Sequence, residues 1–143
     1  MNLYKAYCFF LLIFCGIGSL WSQDNLPPEI SVSGRESYCP LDQINIASNF
    51  TITDPDDTGI EAFFIQISSG YNLNTDRLIL TGNHPTINTT WSNIEGKLTL
   101  QPVSGTQILY TDLQVAVRDV VYQSLDAAVF GEKFFSFTLG NAN

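Results

Sequence analysis

Basic residues are scarce in this chain. Six lysines and arginines stand against fourteen aspartates and glutamates in 143 residues, with one histidine. That balance argues against nucleic acid and anionic membranes as partners, since both select basic surfaces. Cysteine is scarcer, with only Cys8, Cys15 and Cys39 present. The one sustained apolar run, Ala6 to Ile17, is shorter than the about 20 residues that cross a bilayer. Catalytic groups are thin as well. A Ser-His-Asp triad would need His84 held by a carboxylate and facing a nucleophile, but it precedes Pro85 in a turn. Glu61 and Glu95 flank turns at no spacing that a glycosidase pair would demand. No catalytic residue emerges, and no cofactor is required.

The amino end has the build of an export signal. Met1 to Lys5 forms a short positive segment, the apolar run follows, and Gly16, Gly18 and Ser19 lead to an expected cleavage after Ser22. Residues 1–22 are therefore read as a signal peptide, and the protein as secreted or placed at the cell surface. Cleavage removes Lys5, Cys8 and Cys15. The mature chain keeps five basic and fourteen acidic residues, a balance of −9, and no membrane span. Cys39 alone cannot form an internal disulfide, so it is expected to pack as a small apolar residue. The core must then carry the fold. A chain of about 120 residues buries roughly two-thirds of its extended surface, which is sufficient.

From Glu29 onward, apolar and polar residues alternate, with turn chemistry every eight to twelve positions. Ile30 and Val32 mark a first strand within residues 23–43. Ile44, Ile46, Phe50 and Ile52 share a face until Asp54-Pro55-Asp56-Asp57-Thr58-Gly59 turns the chain. Phe63, Ile65 and Ile67 define the inner face of a strand over 60–69. Leu78 with Leu80, Ile87 with Trp91, and Leu98 with Leu100 repeat the pattern around a hairpin at 93–96. Only Thr111-Asp112-Leu113-Gln114 departs. It reads as a capping box opening a two-turn helix through Leu113, Ala116, Val117 and Val120. Val121 and Tyr122 continue as a strand, and Phe135, Phe137 and Leu139 form the last. The expectation is an all-β, cadherin-like or immunoglobulin-like sandwich of seven or eight strands with one short helix. Residues 44–143 form one domain with 23–43.

Several phrases resemble the cadherin-like repeats of large bacterial surface proteins. These are Phe50-Thr-Ile-Thr-Asp-Pro-Asp-Asp57, Gly96-Lys-Leu-Thr-Leu100, Tyr110-Thr-Asp-Leu-Gln114, Val120-Val-Tyr122 and Phe135-Ser-Phe-Thr-Leu139. More narrowly, Tyr38-Cys-Pro40, Asp54-Pro-Asp-Asp57, Gly82-Asn-His-Pro85 and Gly140-Asn-Ala-Asn143 together resemble the amino-terminal module of Bacteroidota-type surface proteins, which precedes a C-type lectin-like domain. The resemblance implies a non-catalytic extracellular module acting in adhesion or as a spacer. It also implies that the chain is a fragment of a larger multidomain protein, with neighbouring domains or a surface partner beside it. A carbohydrate-binding module contacting a glycan is the alternative, with Tyr71 as an aromatic that could stack on sugar.

Two groups of residues are candidate sites. Asp54, Asp56 and Asp57 place three carboxylates in four positions, a donor set suited to calcium, with Glu61 a further ligand. The spacing is not an EF-hand, because Ile65 stands where the bidentate glutamate belongs. The cadherin resemblance implies calcium at module junctions, where Asp119 and Asn141 could add ligands. The second group follows from strand parity. With Phe63, Ile65 and Ile67 inward, Phe64 faces out, and so do Ile79 and Phe134, which together would form a partner surface. The sequons at Asn49 and Asn88 read as ordinary strand residues in a bacterial protein.

Overall fold

The computed structural model describes residues 25–140, so the proposed signal peptide at 1–22 and the candidate ligand Asn141 lie outside the described residues. Among the described residues eleven strands and one helix succeed one another: β1 (Glu29–Ser31), β2 (Gln43–Asn45), β3 (Thr51–Thr53), β4 (Gly59–Ile60), β5 (Ala62–Ser69), β6 (Asp76–Leu80), β7 (Ile87–Ser92), β8 (Lys97–Pro102), β9 (Ile108–Leu109), α1 (Tyr110–Arg118), β10 (Val120–Ser124) and β11 (Phe134–Gly140). The protein is an all-β sandwich, and its strand count exceeds the seven or eight expected. The excess comes from interruptions. The alternating stretch Ile44–Ile52 breaks at a turn where Phe50 N–H donates to Ala47 O, leaving β2 and β3 in different sheets. The strand expected over 60–69 splits at Glu61, because β4 pairs with β9 while β5 joins the main sheet.

One layer is the antiparallel sheet β11-β5-β8-β7, and the other is β2-β10-β6. Period-two alternation sorts β5 cleanly. Phe63, Ile65 and Ile67 are buried and Phe64 and Gln66 half-buried on the outer face. Phe50, Phe63 and Phe137 stack at tilted or edge-on angles between the layers, with centroids 5.4 to 6.4 Å apart. Fully burying a side chain of this size is worth roughly 1.5–3 kcal/mol. Leu98 and Leu100 from β8 and Val120 and Tyr122 from β10 complete the interior.

α1 closes the core with Leu113, Ala116 and Val117 buried, as the helical spacing predicts. The capping box does not form. The N-cap is Leu109 with no side-chain bond, and Thr111 lies inside the first turn. Tertiary contacts replace it: Tyr110 N–H donates to Thr58 O at 2.8 Å, and Gln114 Oε1 accepts the Ile52 N–H. Cys39 is exposed rather than packed, because the turn at Cys39–Asp42 lies on the surface.

Candidate functional site

The acidic turn follows β3 directly. Asp54 Oδ1 accepts the N–H of Asp56 at 3.1 Å and of Asp57 at 3.0 Å, the local turn that aspartate before proline favours. Asp54 Oδ2 accepts the Tyr110 hydroxyl at 3.0 Å, tying the turn to the start of α1. Asp56 Oδ2 accepts the Leu26 N–H at 3.0 Å, so the chain ahead of β1 is tied to the same place. Desolvation pushes the Asp54 carboxyl upward, but the Asp57 and Asp56 amides outweigh it, holding the group below its ordinary range. Burial and then the Asp54 carboxylate push the Tyr110 hydroxyl well above its usual value.

One carboxylate oxygen from each of Asp54, Asp56 and Asp57 lies within 4.8 Å of the other two. Calcium binds oxygen at about 2.3–2.6 Å, so ligands across one ion stand about 4.6–5.2 Å apart, and the spread fits. Asp56 Oδ1 is buried without a hydrogen-bond partner, a costly state that a cation would relieve. The structure brings the three aspartates together.

Glu61 is not part of the aspartate group. It lies on a shallow depression with Asn88, Gln101 and Thr106. Asp119 is engaged elsewhere, its Oδ2 standing 3.1 Å from His84 Nε2. That ring nitrogen also stands 2.9 Å from Thr81 O. His84 therefore ties the β6–β7 turn to the end of α1.

The outward apolar residues Phe64, Ile79 and Phe134 do not form one surface. Ile79 sits on β6, in the opposite layer from Phe64 and Phe134, so the three share no surface. Phe64 has structural company: its ring lies against Gly140, and Lys97 Nζ is 5.6 Å from its centroid. Phe134 stays exposed beside a register shift in the β11–β5 pairing. Tyr71 is held too. Its ring covers Gly96, whose φ of 63° shapes the hairpin, and its hydroxyl donates to Asn93 O.

Two features escaped the sequence reading. The first is a buried polar cluster at the opposite end from the aspartates. Asp76, 1% exposed, accepts from Lys133 Nζ at 2.7 Å, the Tyr122 hydroxyl at 2.9 Å and the Asn72 N–H at 2.9 Å. Desolvation raises the Asp76 carboxyl, and the Lys133 and Asn72 bonds overcome it, leaving the group below its normal range. Asp76 reads as a turn residue and Lys133 as a loop residue, and they are 57 positions apart, so no local pattern marks them. The second is a groove of 660 Å³ between the edge strands β2 and β11, lined by Val32, Tyr38, Ile44, Phe130, Phe134 and Phe135 among others. Aromatics of separate segments make it, from the buried Tyr122 to the exposed Phe130.

No known protein family and no solved structure matches the chain. Part of it is similar to halomucin of Haloquadratum walsbyi, with 29% identity over 90 residues, or 61% of this chain. The matched stretch spans 1% of halomucin's own length. Among the described residues no helix is long and apolar enough to cross a membrane.

Proposed function

We propose that this chain is a non-catalytic extracellular module of a cell-surface or secreted protein, cadherin-like in kind, acting in adhesion or as a spacer. Its acidic turn binds calcium and stiffens the end where modules join. The carrying observation is the acidic turn itself, with three convergent carboxylates and one buried oxygen that lacks a donor. Topology supports the junction. The chain comes in beside Asp56 through Leu26, and it leaves β11 at Gly140, which pairs with Ala62 just beyond the turn. The likeness to a stretch of halomucin supports an extracellular setting.

A thermal melt of residues 23–143 in millimolar calcium and in chelator tests the cation. A native-state ligand at about one hundred times its Kd adds roughly 2.7 kcal/mol, several degrees in a domain of this size. The expected result is a calcium-dependent rise in Tm that disappears in the Asp54→Asn, Asp56→Asn double variant. An unchanged Tm would remove calcium from the proposal and leave a metal-free spacer.

A glycan ligand is the second reading, favoured by one row of the main sheet. Register places Thr90, Thr99, Phe64 and Thr138 side by side across its outer face, a row of hydroxyls with an aromatic at its centre and Lys97 Nζ 5.6 Å from that ring's centroid. Retardation on neutral polysaccharide gels, lost with Phe64→Ala, would favour it.

A further inference from the structure

The outer face of the main sheet carries little charge for so acidic a chain. No aspartate or glutamate occurs in β5, β7, β8 or β11, although the sequence holds fourteen. Lys97, the one cation of these strands, is paired with Glu95 at 2.8 Å. Two residues along from Thr90 and Thr99, Asn88 and Gln101 stand opposite each other on that face. They open a depression of 430 Å³, closed on its other side by Glu61 and by Gly105 and Thr106 of the β8–β9 loop. Among the described residues no protein group hydrogen-bonds the side chains of Asn88, Gln101, Thr106, Thr90, Thr99 or Thr138. Phe64 leans over β11, because Gly140 lacks the Cβ that would overlap its ring.

We propose that this face binds a linear neutral polysaccharide of equatorially substituted pyranoses. One sugar lies on Phe64, and a neighbouring sugar bonds Asn88, Gln101 and Thr106 in the depression. This rests on the glycan reading above and adds the second contact and the class of chain. Phe64 and Gln101 are diagonal neighbours, about 7–8 Å apart, so a short run of sugars covers both. Such a pyranose shows C–H groups on its faces, which suit an aromatic ring, and hydroxyls at its rim. Amide side chains both donate to and accept from those hydroxyls.

Composition selects a neutral sugar over the other occupants. A protein interface concentrates aromatic and apolar anchors at its core, and this face offers Phe64 alone. Six basic residues against fourteen acidic ones repel an anionic polymer, and Glu95 already neutralises Lys97. A neutral polyol needs donors and acceptors that the protein has not used, and the strip from Thr138 to Asn88 supplies them.

Native electrophoresis of residues 23–143 in chelator, through gels holding mixed-linkage β-glucan or hydroxyethylcellulose, tests this, with dextran and alginate gels as contrasts. The expected result is retardation in the first two gels and none in the others. Asn88→Ala with Gln101→Ala should weaken binding at least about tenfold, the worth of two hydrogen bonds, and melt like the parent. Val115→Asp, on the exposed face of α1, should bind unchanged. Equal binding by the parent and the double variant, with Phe64→Ala defective, would overturn the second contact and leave the glycan reading standing. A parent that runs freely in every gel would overturn both. Retardation in alginate or dextran alone would overturn the class of chain.

Discussion

Asp76 shows what one residue can concentrate. Its carboxylate is enclosed, and three donors from distant parts of the chain converge on it. Asp76→Ala should cost about 3 kcal/mol in urea denaturation, because Lys133 is left as a buried charge without its partner. Adding Lys133→Met should recover most of that loss, since an apolar side chain of similar length removes the stranded charge. The same site gives a pH dependence. The folded-state group titrates below the unfolded value of about 3.9, so the unfolded chain binds more protons in acid. Stability from this site is complete above about pH 5 and is lost as pH falls through the folded value. Urea midpoints taken down to about pH 3 should show the loss, and Asp76→Asn should flatten that part of the profile.

At the scale of elements, tertiary contacts override a local signal at α1. Threonine and glutamine three residues apart form a fair capping box, yet the N-cap falls two residues earlier, at Leu109. Tyr110 and Gln114 satisfy their groups against the β3–β4 segment instead. Thr111→Ala should therefore change stability by no more than about 0.5 kcal/mol, where loss of a true N-cap would cost about 1 kcal/mol. The short pairing of β4 with β9 is the opposite case. A Cβ on Gly59 would sit 2.5 Å from the Ile108 carbonyl oxygen, a backbone atom that cannot swing aside. Gly59→Ala should cost about 1–3 kcal/mol, read from the same denaturation curves.

For the whole molecule, one continuous core does the work that disulfides do in many exported domains. Cys39 is free and exposed, so neither reductant nor Cys39→Ser should move Tm by the equivalent of more than about 0.5 kcal/mol. A larger shift would mean that the thiol links copies of the chain. The molecule is also polar end to end. Three aspartates gather where the chain comes in and leaves, and the two most exposed apolar side chains, Phe130 and Ile94, lie at the far loops.

Period-two alternation, helical spacing and turn residues are local, so the sequence by itself determined the all-β class. They also placed Phe63, Ile65, Leu100, Leu113 and Val117 in the core. The aspartate group was legible for the same reason, because its three members are neighbours in the chain. Sheet membership is not local. Ile79 and Phe64 share a parity yet belong to opposite layers, which only long-range hydrogen bonding could assign. The split of Ile44–Ile52, the Asp76–Lys133 pair and the groove beside β11 arise the same way, from segments that meet only when the layers close. Propensity acts over a few residues and packing over the whole chain, so the pattern named the architecture while the tertiary structure chose the partners.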